Sequence, residues 1–172
     1  LADGTGTYLT LNGFQTVTAN ANAGDADTAI LNGTAGTVDS LSGSKASSSL
    51  GDGSSYSVTA AGFATVTANG NAADADTADV TGTAGTADSF TGAKGASTLA
   101  DGSGTYLTLN SFQTVTANAN AGDNDTATLT GTAGTADQFT GAKGTSTLAD
   151  GTGTYLTLNG FQTVTANANA GD

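Results

Sequence analysis

Pairs of aspartates separated by one residue recur along this chain, and they are its clearest candidates for chemistry. The pairs are Asp25 and Asp27, Asp74 and Asp76, and Asp123 and Asp125. In a strand or a turn, carboxylates at positions i and i+2 can face the same way and offer hard oxygen ligands to Ca²⁺. Backbone carbonyls, Asn side chains and water would complete the coordination. The alternative is structural, because Asp bonds its own backbone in turns and acidic charge keeps a long fibre in solution.

The composition narrows the classes of function. The chain has 172 residues and a net charge of −12; its 15 acidic residues are all Asp, its three basic residues are all Lys, and it contains no His, Cys, Glu or Arg. Catalytic acids and bases come mostly from residue types that are absent here, so we expect no enzyme. The charge disfavours nucleic acid and anionic lipid, and no apolar run is long enough for membrane insertion.

The same residues return every 49 positions, which makes the chain an array of repeats. Phe14, Phe63, Phe112 and Phe161 show this step. The boundaries are repeat 1 at 1–49, repeat 2 at 50–98, repeat 3 at 99–147 and a partial repeat 4 at 148–172. A 49-residue unit with so few large apolar residues cannot bury a core alone, so we expect the repeats to stack into one continuous solenoid.

Within a repeat the apolar residues alternate with polar ones, which is typical of half-buried strands. In "QTVTANA" (113–119), Val115, Ala117 and Ala119 fall on one face. In "TYLTL" (105–109), Leu107 and Leu109 share a face opposite Tyr106. The pattern predicts an all-β, elongated, right-handed parallel β-helix with two coils per repeat. Three coils of about 16 residues and a string of small β-sandwiches are the alternatives.

Other side chains recur once per repeat and carry alternative uses. Lys45, Lys94 and Lys143 are ligand or isopeptide donors, or counter-charges to Asp in the same or the next layer. Tyr8, Tyr106 and Tyr155 form a sugar-stacking ladder or ordinary packing, and Tyr56 is one place early. Thr pairs at 16/18, 65/67, 114/116 and 163/165 form either a sparse ladder or solvent-facing strand residues. Such ladders resemble the surface of β-solenoid ice-binding proteins.

One segment resembles the calcium-binding nonapeptide repeats of secreted RTX proteins. In "GTAGTADSFTGAKG" (82–95), Gly85, Asp88, Phe90 and Gly92 follow the order of that motif, with one extra residue before the Asp and one copy per repeat. The resemblance adds Asp88 and its equivalents Asp39 and Asp137 to the candidate calcium ligands. The whole unit also resembles the long repeats of giant secreted surface proteins of aquatic bacteria, which implies an extracellular or cell-surface location.

These observations together predict a non-catalytic structural protein, namely a stalk, a surface-layer component or a fibre. Its expected partner is itself, through end-to-end or lateral assembly. The alternative is a calcium-stabilised adhesin that binds glycans or surfaces, and ice binding is a further alternative. Calcium is the one cofactor that the pattern suggests.

Overall fold

The computed structural model describes residues 13–22, 24–120 and 122–169, and these form strands joined by turns. The strands are β1 Thr16–Asn20, β2 Thr28–Asn32, β3 Ser40–Gly43, β4 Ser47–Gly51, β5 Ser57–Ala61, β6 Thr65–Asn69, β7 Thr77–Thr81, β8 Ser89–Ala93, β9 Ala96–Asp101, β10 Gly104–Asn110, β11 Thr114–Asn118, β12 Thr126–Thr130, β13 Gln138–Ala142, β14 Thr145–Asp150, β15 Gly153–Asn159 and β16 Thr163–Asn167. The described residues contain no helix.

The strands form two sheets, and the chain passes back and forth between them. The first sheet has nine strands in the order β1-β5-β4-β3-β7-β11-β15-β14-β13, and the second has seven in the order β16-β12-β8-β9-β10-β6-β2. Strands from successive coils pair in parallel, as β3, β7, β11 and β15 do in the first sheet. The prediction of an all-β solenoid is therefore confirmed.

Each repeat makes three passes between the sheets, which is one and a half coils. Two passes are single strands, such as β6 and β7, and the third is a group of three strands, such as β8, β9 and β10. The predicted two coils per repeat are therefore wrong. Because the number of passes is odd, equivalent strands of neighbouring repeats lie in opposite sheets. Two repeats together add five strands to each sheet, which is about 24 Å of length at about 4.8 Å per strand. One repeat therefore lengthens the solenoid by about 12 Å.

The three-strand groups are antiparallel meanders that run backwards along the solenoid. When the chain enters the second sheet at β8, it leaves room for two strands between β8 and the earlier strand β6. The next two strands, β9 and β10, occupy this space, so that β9 pairs with β8 and β10 pairs with both β9 and β6. The groups β3-β4-β5 and β13-β14-β15 do the same in the first sheet. The sequence analysis expected parallel pairs alone. It could not distinguish the two because a period of two is common to both kinds of strand.

The core lies between the inner faces of the two sheets and consists of Leu, Val, Ala and Phe. Phe90, Leu107 and Leu129 are completely buried there. Phe90 and Gly92 are two residues apart on β8, so both face inwards, and the ring of Phe90 lies over Gly92. A Cβ placed on Gly92 would lie 2.5 Å from Phe90 Cε1 and 3.0 Å from Leu156 Cδ1. Only glycine at this position leaves enough space for the ring of Phe90.

We expect Gly92→Ala to destabilise the fold by about 1–3 kcal/mol, because the extra methyl group overpacks the core. The measurement is the free energy of unfolding in urea. Gly141→Ala in β13 is the matched control, since its Cβ would lie 3.0 Å from the ring of Phe139, which is 42% exposed and can move aside. Equal losses in both variants would contradict this role for the glycine.

The hairpins within the meanders differ between repeats, and one residue explains the difference. Gly104 and Gly153 have φ angles of 125° and 129°, a conformation that a residue with a Cβ rarely adopts. They allow tight turns between β9 and β10 and between β14 and β15. Ser55 occupies the same place in repeat 2, and there β4 and β5 are separated by a wider loop, residues 52–56. Three N–H groups of that loop donate to Asp52 Oδ1.

Candidate functional site

An aspartate stands at the corner before each of five strands and closes the turn that leads into it. We call these residues the corner aspartates: Asp39, Asp76, Asp88, Asp125 and Asp137. In each case the carboxylate Oδ2 accepts the backbone N–H of the residue five positions earlier, at distances of 2.6–3.1 Å. The turns contain few other acceptors for these N–H groups, so the carboxylate takes the place of a backbone partner.

The corner aspartates also connect one coil to the next. Asp76 Oδ1 accepts the N–H of Asp39 at 2.7 Å, and Asp125 Oδ1 accepts the N–H of Asp88 at 2.7 Å. All four residues are at least 98% buried. The burial raises the pKa of Asp88 above its ordinary value. A buried carboxylate is tolerated here because donors are aimed at both of its oxygens.

The aspartate pairs do not converge on a common point between their two carboxylates. In the second pair, Asp74 Oδ2 accepts the N–H of Gly36 at 2.8 Å, whereas Asp76 Oδ2 accepts the N–H of Asn71 in its own corner turn. Asp123 and Asp125 repeat this division, with Gly85 as the donor to Asp123. In the described part of the chain, no three acidic side chains lie together as a metal site would require.

The calcium hypothesis nevertheless stays a prediction. Asp25 is exposed and Asp27 is half-buried at the start of the described solenoid. A melting temperature that falls when a chelator is added would support bound calcium at these carboxylates. An unchanged melting temperature would leave the corner hydrogen bonds as their use.

The tyrosines lie against the corner aspartates instead of forming an open ladder. The hydroxyls of Tyr106 and Tyr155 donate to Oδ1 of Asp88 and Asp137 at 3.1 and 2.9 Å. Both tyrosines are 3% exposed because a bulge in each strand turns them inwards, so the prediction that Tyr106 faces away from the core is wrong. Tyr8 lies outside the described residues.

Tyr56, which is one place early in the sequence, reaches an equivalent partner. Its hydroxyl donates to Asp39 Oδ1 at 2.7 Å from within the wider loop 52–56. Burial, and then the bond to Asp39, raises the pKa of Tyr56 to about 12. The wider loop therefore compensates for the one-residue displacement of Tyr56, and the hydrogen bond from the tyrosine to the corner aspartate is preserved.

Two lysines each form an ion pair that joins one three-strand meander to the next across the two sheets, and we call this ion pair the lysine clamp. Lys45 Nζ lies 2.6 Å from Asp101 Oδ2 and 5.8 Å from the ring centre of Tyr106. Lys94 repeats the arrangement with Asp150 at 2.7 Å and Tyr155 at 5.8 Å. Each ammonium thus joins a hairpin of one sheet to a hairpin of the other. The counter-charge interpretation of these two lysines matches their contacts, with the partner aspartate in the next meander.

The pKa values of Asp101 and Asp150 fall from 3.8 to about 2, mainly through the hydrogen bonds from Lys45 and Lys94. A lowered pKa in the folded state means that the stabilisation is present at neutral pH and is lost as the pH falls from about 4 to about 2. We expect Lys94→Ala to lower the free energy of unfolding by up to about 1 kcal/mol at pH 7, and the loss should shrink as the pH falls from about 4 through about 2. Urea titrations across this range measure the difference.

Lys143→Ala is the matched control for that experiment. Lys143 has the same place in repeat 3, but it is exposed and contacts no carboxylate in the described part of the chain. We expect its removal to leave stability unchanged at every pH. A pH-dependent loss in the Lys143 variant would mean that a general charge effect, and not the clamp, is responsible.

The outward-facing side chains of both sheets form continuous rows that consist mostly of hydroxyl residues, with Ile30 at the end of one row and Asp79 within the other. The prediction of a sparse Thr ladder is wrong, because the meander strands fill the spaces between the Thr pairs. In the second sheet the paired residues are Thr165, Thr128, Thr91, Thr98, Thr108, Thr67 and Ile30. In the first sheet they are Thr18, Thr59, Ser49, Ser42, Asp79, Thr116, Thr157, Thr147 and Thr140. Neighbours in a row are about 4.8 Å apart.

The residues that resemble an RTX motif each have a structural use. Gly85, with a φ of 79°, allows the corner turn and donates its N–H to Asp123. Asp88 closes that turn by a hydrogen bond, and Phe90 is buried in the core. Gly92 leaves space for the ring of Phe90. The same spacing is thus explained without an ion, although the arrangement does not test one.

No protein-family model, no curated protein and no solved structure matches this chain. None of the described residues form a helix that is long and apolar enough to cross a bilayer.

Proposed function

We propose that the protein is a non-catalytic structural repeat array that serves as a stalk, surface-layer component or fibre outside the cell. The single observation that carries this proposal is that neighbouring coils of the described chain are joined by the same set of contacts. The corner aspartate bond, the lysine clamp and the parallel strand pairs all recur with the 49-residue step. An array built in this way gains length with each copy and needs no unique cleft.

The Asn side chains on the outer faces support the same role. Asn110 donates to Asn69 at 2.9 Å, and Asn69 donates to Asn32 at 2.8 Å, so that side-chain bonds run along the solenoid and parallel to the backbone ladder. These bonds lie along the direction in which a stalk is pulled. Self-association through the sheet edges, end to end or side by side, is the assembly that we propose for a fibre.

Two experiments test the structural role. Electron microscopy of chains with three, six and nine repeats should show rods that lengthen by about 12 Å per added repeat. Antibodies against the repeat should label intact cells that produce the protein, without permeabilisation. Globular particles, or label that requires permeabilised cells, would contradict the proposal.

A second candidate function is binding to an ordered water surface such as ice. It is favoured by the continuous Thr row of the second sheet, in which Thr128, Thr91, Thr98 and Thr108 are consecutive register partners. A flat row of this kind presents hydroxyl and methyl groups at a constant spacing of about 4.8 Å.

The test is the growth of ice crystals in a solution of the protein. The ice hypothesis predicts shaped crystals, and it predicts that Thr98→Lys abolishes the shaping while Ala87→Lys, in an exposed corner turn, does not. Crystals that grow as in buffer would exclude this function and leave the stalk proposal unaffected.

A further inference from the structure

We propose that a groove on the outer face of the first sheet binds an uncharged polysaccharide strand. The groove has a volume of about 750 Å³, within the range of about 300–1,000 Å³ that is usual for ligand sites. It crosses β1, β5, β4, β3 and β7 and reaches Thr116 on β11, and it is open along its length. This site does not depend on the structural role proposed above.

The groove exists because the meander β3-β4-β5 carries smaller outward side chains than the other described meanders. Ser42 and Ser49 line it, whereas the equivalent residues 98 positions later on the same sheet are Thr140 and Thr147. Gly51 replaces Ala149 in the same comparison, and a Cβ there would collide with the carbonyl oxygen of Tyr56. These smaller side chains make the groove deeper, and β4 pairs with β5 without the bulge that is present between β14 and β15.

The loop 52–56 forms one wall of the groove, and of the three described meanders only β3-β4-β5 contains it. Ser55 stands where the other meanders have a glycine of positive φ, so the tight hairpin is replaced by a loop fastened to Asp52. Ser54, Ser55 and Tyr56 of this loop line the groove. The hydroxyl of Tyr56 is occupied by Asp39 and thus holds the wall in place.

The chemistry of the lining selects the class of ligand. Most of the lining residues are Ser or Thr, whose hydroxyls both donate and accept hydrogen bonds, as the hydroxyls of a sugar do. Gln15 adds an amide, and Asp79 adds the one carboxylate, which is fastened by Asn118 at 2.6 Å. Asp79 is itself unusual, because the equivalent residues are Ile30 and Thr128. No lining residue is a cation and the chain carries a charge of −12, so an acidic polysaccharide is disfavoured.

The experiment is a titration of the ¹⁵N-labelled 172-residue chain with cellohexaose, laminarihexaose and maltohexaose, followed by the backbone amide shifts. For at least one of the three we expect a dissociation constant on the order of 1 mM and shifts confined to 40–42, 49–57 and 77–79. Ser49→Tyr, which fills the groove, should weaken binding at least about tenfold. The matched control Thr147→Tyr places the same ring on the same sheet outside the groove and should bind as the parent does.

Melting curves first establish that both variants are folded. The proposal is overturned if none of the three sugars causes shifts at about 10 mM, or if both tyrosine variants weaken binding equally. It is likewise overturned if the shifts map to the Thr rows away from the groove, or if an oligogalacturonate of the same length binds as tightly as the neutral sugars.

Discussion

Phe90→Ala should lower the free energy of unfolding by about 3–5 kcal/mol, the usual cost of removing a fully buried aromatic ring. Phe90 is completely buried at the centre of the solenoid, and its ring centre lies 6.2 Å from that of Phe161. Paired strands lie on both sides of β8, so the neighbouring backbone cannot collapse into the space left by the ring. Urea denaturation followed by circular dichroism measures the loss.

Phe139→Ala is the control that makes this result specific to burial. Phe139 has the same place 49 residues later, but β13 is the last strand of its sheet and the ring is 42% exposed. We expect a smaller loss of about 1–2 kcal/mol, because the ring is already 42% exposed in the folded state and buries only part of its apolar surface. Similar losses in the two variants would mean that the motif acts through local structure and not through the stacked core.

Asp76→Ala should cost about 2–5 kcal/mol, because it leaves two buried backbone N–H groups without an acceptor. These are the N–H groups of Asn71 in its own turn and of Asp39 in the preceding coil. The second bond is the one that joins coils, so we expect hydrogen exchange of the Asp39 amide to accelerate as well. Amide exchange measured by NMR and urea denaturation provide the two readouts.

Asp27→Ala is the matched control in repeat 1. Asp27 has the same place as Asp76, is half-buried, and its carboxylate has no hydrogen-bond partner in the described part of the chain. Its removal should change the stability little. If Asp27→Ala were as costly as Asp76→Ala, loss of charge and not loss of the corner bond would be the cause.

The repeat length, the strands and their inner faces could be read from the sequence. Val115 and Ala117 face the core as their alternation predicts, since side chains on a strand point to opposite faces by geometry alone. The solenoid itself follows from the same pattern, because units with small apolar residues must share a core. The orientation of Tyr106 could not be predicted in this way, because a bulge interrupts the alternation of inward and outward residues and leaves no mark in the sequence pattern.

Strand partners, and the sites that depend on them, were decided only by the tertiary structure. The antiparallel meanders, and hence the one and a half coils per repeat, depend on whether a strand folds back or crosses to the other sheet. Both arrangements bury the same alternating residues, so the sequence pattern cannot distinguish a strand that folds back from one that crosses over. The same choice turns sparse Thr pairs into continuous rows, sets Lys94 against Asp150, and brings Ser42, Ser49 and Asp79 to one groove. A local pattern determines which face is buried, whereas contacts between distant strands determine what lies beside it.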